Sequence, residues 1–186
     1  LDPKAVPSPP GSRRAAVSGI GSEAGSLETE DCLNVTVYTP GLDAARRPVM
    51  VWLHGGGYSA GSGSNPMYEG SSLAVHGDVV VVNINHRLNV LGYAHMPDSG
   101  EDFVSSGNVG ILDIELALHW VKDNIEHFGG DAKRVLVFGQ SGGGGKVCTL
   151  WSMPSARGLF HRVAIQSGAT RRLRSVEDGV GASERL

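Results

Sequence analysis

The stretch that most limits what this chain can fold into is Val135-Leu136-Val137-Phe138-Gly139-Gln140-Ser141-Gly142-Gly143. Four apolar residues, three of them β-formers, lead into Gly-x-Ser-x-Gly, and residues 146–151 continue as a predicted helix. A short apolar run of this kind marks a parallel strand buried on both faces. A serine between glycines at its end fits a nucleophile elbow, a tight strand-to-helix turn that leaves the hydroxyl exposed. Glycine is needed beside it because the turn is strained and a Cβ would meet neighbouring backbone. The helix that follows points its N-terminus at the reacting atoms and favours negative charge there.

A second motif repeats this arrangement. Val49-Met50-Val51-Trp52-Leu53 reads as another buried strand and ends in His54-Gly55-Gly56-Gly57-Tyr58. Residues 79–84, the most β-branched run, predict a third buried strand. Leu33, Val35 and Val37 alternate with polar neighbours, a period-2 strand stopped by Pro40-Gly41. Residues 71–76 predict a short helix, residues 91–107 a long surface loop, and residues 163–165 a last strand. The clearest helix covers residues 111–128, where Ile111, Ile114, Leu118, Val121 and Ile125 form one apolar stripe. Asn108 is placed to cap it and Gly129-Gly130 to end it. Strands separated by helices predict an α/β protein with a mostly parallel central sheet flanked by helices. Ligands bind at the carboxyl ends of such strands, where both glycine motifs fall. Residues 1–29, rich in Pro, Ser and Gly, read as an irregular arm, and residues 30–186 as part of one catalytic domain.

The formal net charge of −3 over 186 residues gives no footing for nucleic acid. No apolar run approaches the length of a membrane span. Leu1 is not an initiator methionine and the first residues do not resemble a signal peptide, so a processed form or fragment is expected. Cys32 and Cys148 read as separate thiols, which leaves the compartment undecided. Asn34-Val35-Thr36, a formal glycosylation sequon, falls on a predicted strand and is taken as chance. No spacing suggests a metal site and no cofactor is expected. The glycines before Lys146 invite a phosphate-loop reading, but Gln140 stands where that pattern needs Gly and Val147 where it needs Ser or Thr. Lys146 is expected on the helix with its charge in solvent.

Acyl transfer by serine needs a nucleophile, donors for the oxyanion and a base. Ser141 is the candidate nucleophile. The backbone amides of Gly142, Gly56 and Gly57 are the candidate oxyanion donors, since glycine lets successive amides point inward unobstructed. The base is the difficulty. Chain order in this type of site is Ser, then acid, then His. After Ser141 the only histidine is His161, and it precedes the acids Glu177, Asp178 and Glu184. It is expected to cap or pack beside Phe160.

Taken together these residues resemble the type-B carboxylesterase/lipase family, the cholinesterase-like branch of the α/β-hydrolases. The segment from Phe128-Gly129-Gly130-Asp131 through Ser141-Gly142-Gly143 matches the family's serine signature at every constrained position. Glu30-Asp31-Cys32-Leu33-Asn34 is similar to its second signature, with Asn34 where an aromatic or aliphatic residue is more usual. His54 to Gly61, Asn85-His86-Arg87 and Asn108 to Asp113 resemble family segments in the family's order. The resemblance implies the N-terminal part of an α/β-hydrolase fold acting on a small-molecule carboxylic ester. It implies Ser141 as nucleophile, an oxyanion hole of Gly56, Gly57 and Gly142, and a structural ion pair of Arg87 with Asp113. Tyr58 and Gln140 are candidate substrate-binding residues, Gln140 standing where Glu is common. Glu30 would pair with Arg13 or Arg14. Cys32 matches a half-cystine whose upstream partner has no counterpart here, so it should be free. The family's acid and histidine lie far downstream of the elbow, and neither position exists in these 186 residues. An ester hydrolase seen in part, an inactive fragment or truncated product, and a non-catalytic interaction module therefore stay open.

Overall fold

A computed structural model describes residues 29–96, 99–170 and 175–183. Of the arm expected over residues 1–29 only Thr29 is described, and Arg13 and Arg14 lie outside the described residues. Five strands form one sheet: β1 (Val35–Tyr38), β2 (Arg47–Leu53), β3 (Val80–Ile84), β4 (Gly130–Gln140) and β5 (Arg162–Gln166). Their order is β1-β3-β2-β4-β5, with β1 antiparallel to β3 and every other pair parallel. The register sets Leu53 beside Gly139, and Gly139 beside Ile165. The carboxyl ends of β2, β4 and β5 therefore share one edge, and both glycine motifs emerge from it.

The helices are α1 (Ser71–Gly77), α2 (Asn89–Tyr93), α3 (Val109–Asn124), α4 (Gly142–Ser152) and α5 (Val176–Ser183). The predicted stripe of α3 is its buried face: Ile111, Ile114, Leu118 and Val121, with Ile125 just beyond, are at most 4% exposed. They pack with Val49, Val51, Leu53, Val80, Val82, Val137, Val147 and Leu150 in one core. On the other face Ala74 of α1 meets Val79 and Val81 in a smaller cluster.

Several expectations need correction. β2 alternates instead of being buried throughout. Its Met50 and Trp52 are only half-buried, because α1 and a 3-10 turn (Pro66–Tyr68) cover that face thinly. Only β3 is buried at all five positions. The loop expected over residues 91–107 carries the end of α2 and, among the described residues, the 3-10 turns Glu101–Phe103 and Ser106–Asn108. Asn108 occupies the cap position of α3, but its side chain makes no capping bond. The last residues of the predicted 111–128 helix tighten into a 3-10 turn (Ile125–Phe128), closed by Gly129 in the left-handed region at φ 77°. β4 begins at Gly130, five residues before its apolar run. Asn34 of the sequon is exposed just ahead of β1, and its Oδ1 accepts from Asn85 Nδ2 at 2.9 Å. Cys32 and Cys148 are both free thiols.

Candidate active site

β4 delivers Ser141 to the sheet edge in a conformation that non-glycine residues avoid, φ 56° and ψ −122°. Such a geometry costs on the order of 1–3 kcal/mol and persists only where the surroundings enforce it. Two backbone bonds do so here: Ser141 N–H donates to Gln166 O of β5 at 2.8 Å, and Gly145 N–H donates to Ser141 O at 3.1 Å. The serine thus sits at the N-terminus of α4, with four glycines in the first turn behind it.

The His54–Gly57 segment packs directly on this turn. An ideal Cβ on Gly142 would lie 2.1 Å from Gly57 O, and one on Gly55 would lie 3.5 Å from Ser141 Cβ. Gly56 and Gly57 take positive φ, 93° and 67°. The three candidate oxyanion residues and Ser141 are therefore neighbours; contacts leave no room for a Cβ on Gly56 or Gly142, and Gly57 is constrained by its positive φ. Beyond Gly57 the loop is anchored from the end of β3. Asn83 Nδ2 donates to Gly63 O and Tyr68 O at 3.0 and 2.8 Å, while Asn85 Oδ1 accepts from Gly63 N–H at 2.7 Å.

Arg87 and Asp113 join the segment after β3 to the first turns of α3. Arg87 Nε donates to Asp113 Oδ2 at 2.8 Å, Nη2 to Oδ1 at 2.6 Å, and the Arg87 backbone N–H to Oδ2 at 3.0 Å. The hydrogen bonds that Arg87 donates to Asp113 raise the arginine's pKa. Tyr58 is 37% exposed and edge-on to Tyr93 at 4.9 Å. Gln140 is exposed beside Gly55, its Oε1 3.2 Å from where a Gly55 Cβ would stand.

His161 stands at the opposite edge of the sheet. Its Nδ1 accepts from Val135 N–H at 3.3 Å, at the start of the apolar run that ends in Ser141. Six residues of strand place it roughly 20 Å from the serine. An open hollow of about 450 Å³ also lies at that far edge, lined by Trp151, His161 and Arg162 among others.

Lys146 overturns its expected place in solvent. It is fully buried, its Nζ donates to His54 O at 3.4 Å, and it lies 5.4 Å from the centre of the Tyr58 ring. Burial alone pushes its pKa down to about 8. His54 and His86, at 1% and 3% exposure, stack their rings at 5.0 Å beside it. Burial, and then the lysine's charge, push their pKa values down to about 4 and about 2. Both rings are therefore neutral near pH 7. Among the described residues His54 Nε2 and both ring nitrogens of His86 find no hydrogen-bond partner. Periodicity hid this cluster, because α4 is enclosed nearly all round its first turns. The legible signal was the glycine run itself, since a turn without side chains is closely approached on every side.

Among the described residues no group of three or more His, Cys, Asp or Glu could hold a metal, and no helix is long and apolar enough to cross a membrane.

Comparison with known proteins places this architecture. The sequence profile of the carboxylesterase family matches residues 7–180. Para-nitrobenzyl esterase of Bacillus subtilis is 46% identical over 144 residues, 77% of this chain and 29% of that protein. Liver carboxylesterase of Sus scrofa is 47% identical over 151 residues, 80% of this chain and 26% of that protein. The crystal structure of a Geobacillus stearothermophilus carboxylesterase superposes with a TM-score of 0.83 at 48% identity, covering 86% of this chain and 34% of that one. The chain thus spans between 26% and 34% of the length of these relatives.

Proposed function

Because this chain belongs to the carboxylesterase family and has the α/β-hydrolase fold over its N-terminal part, we propose that it carries the nucleophile and oxyanion hole of a carboxylic-ester hydrolase. The observation that carries the reading is the backbone of Ser141. A serine held at positive φ on the strand-to-helix turn, against a glycine loop from the next strand, has no use in packing and a clear one in acyl transfer.

In this reading Ser141 Oγ attacks the ester carbonyl, and the tetrahedral oxyanion is held by the amides of Gly56, Gly57 and Gly142. Collapse expels the alcohol and leaves an acyl-serine, which water hydrolyses. Arg87 and Asp113 hold the floor of the site and take no part in proton transfer. Tyr58 and Gln140, at the rim of the elbow, are placed to meet the substrate. The base and its acid partner come from outside these 186 residues. His161 is excluded by its distance, and the buried His54 and His86 by pKa values too low for the task. The name of the Bacillus subtilis relative suggests p-nitrobenzyl esters as probe substrates.

The test is ester turnover and organophosphonate labelling by the intact protein that carries this chain. Labelling at Ser141, lost in Ser141→Ala together with turnover, is expected. An intact protein that neither labels nor turns over would favour the non-catalytic reading.

A further inference from the structure

Lys146 is a fully buried cation whose placement works against folding. Enclosing an ammonium is costly unless a carboxylate repays it. Among the described residues no ion pair includes Lys146. The groups that face it are neutral: His54 from the end of β2, His86 from the segment after β3, and Tyr58 from the loop, backed by Tyr93 of α2. Asp113 of α3 is taken up by Arg87. Residues that break a rule of stable packing mark functional sites.

What the ammonium does touch is informative. His54 O, its acceptor, lies two residues before Gly56, and a Cβ on Gly143 would stand 2.9 Å from the same oxygen. The lysine therefore reaches from the first turns of α4, where Gly142 stands, back under the loop that carries Gly56 and Gly57. It thereby ties together the two elements that carry the three candidate amides.

We propose that Lys146 is a positioning residue for acyl transfer at Ser141, its ammonium holding the His54 carbonyl and the following glycines against α4 and setting a fixed positive charge beneath the oxyanion. This rests on the esterase reading above. A preorganised charge needs no rearrangement as the oxyanion forms, and the enclosure of Lys146 itself limits the screening of that charge. Neutralising the lysine removes the charge and weakens its hold on the carbonyl. Burial brings that neutralisation within reach of an ordinary assay, at about pH 8.

The experiment measures kcat and KM for a p-nitrophenyl ester with the intact protein, from neutral pH to well above the lysine's titration. The wild type should lose kcat along an alkaline limb centred near pH 8. Lys146→Met should lower kcat by roughly 10-fold or more at neutral pH, leave KM nearly unchanged and abolish the limb. Its melting temperature should hold or rise, since an apolar side chain replaces an unpaired buried charge. A structural lysine would give the opposite signature, lower stability with no change in the pH profile. Wild-type kcat in Lys146→Met overturns the proposal, and so does a wild-type profile flat through the titration. The second result needs no folded variant. A wild type no faster than Ser141→Ala overturns the esterase reading, and this proposal with it, and that control tells the two failures apart.

Discussion

Replacing Gly142 with alanine puts the contact between elbow and glycine loop under direct test. The new Cβ would stand 2.1 Å from Gly57 O and 2.7 Å from both Gly57 C and Gly57 Cα. Carbon–oxygen contacts settle near 3.3 Å, so about 1.2 Å must be found. All three atoms are backbone, and no side-chain rotation relieves the clash. Ser141 cannot yield easily, because its N–H is tied to Gln166 O at 2.8 Å. The displacement therefore falls on the Gly56–Gly57 loop or on the Gly142 amide, both proposed oxyanion donors. Misplacing such groups by about 1 Å costs on the order of 10² in rate. Losing one donor outright costs about 10²–10³, or roughly 3–4 kcal/mol of transition-state stabilisation. The assay is the second-order rate of organophosphonate inactivation, with kcat and KM for an aryl ester and a thermal melt, in the intact protein. Inactivation rate and kcat should fall together by about 10²–10³ while KM moves little. A loss below about threefold in a normally folded variant would refute the assignment of these amides.

Three other outcomes follow from the same geometry. Arg87→Met should cost about 2–3 kcal/mol in urea unfolding, because Asp113, at 6% exposure, loses its bidentate partner; an unchanged midpoint would contradict this. His54 and His86 have lowered pKa values, so the stability they contribute is complete above about pH 6.5 and is lost as pH falls through about 4 for His54 and about 2 for His86. His86→Phe should blunt the acid end of a melting-temperature profile at little cost near pH 7, since neither ring nitrogen has a partner to lose among the described residues; a large loss at pH 7 would show a missed hydrogen bond. The 186 residues expressed alone should show no ester turnover above their own Ser141→Ala control, and should self-associate on size exclusion through β5, whose outer side is unpaired among the described residues. A monomer with Ser141-dependent turnover would reveal a base within these residues.

Much of the fold was legible because backbone punctuation and apolar period agreed. The stripe from Ile111 to Ile125 named the face of α3 that is buried, and the runs ending at Leu53 and Phe138 named parallel strands. The glycine motifs fell on one sheet edge for the reason the runs implied, since both strands end there. Other features depend on contacts that no local pattern encodes. Met50 and Trp52 looked like core but face a thinly covered side, a matter of how many helices lie across it. The short helix and 3-10 turns within residues 89–108 follow packing against α3 more than propensity. Lys146 was misplaced because charge normally means solvent. Its burial follows from three segments closing over the glycine turn of α4, and His54 in one of them lies 92 residues from the lysine in the chain.

The most direct measurement is mass spectrometry of the intact protein quenched within its first turnovers on p-nitrophenyl acetate. The account predicts a burst of nitrophenol matched by an acetyl group on the peptide that carries Ser141, absent from Ser141→Ala. Turnover with no acyl group on that peptide, or with the acyl group on another residue, would contradict it.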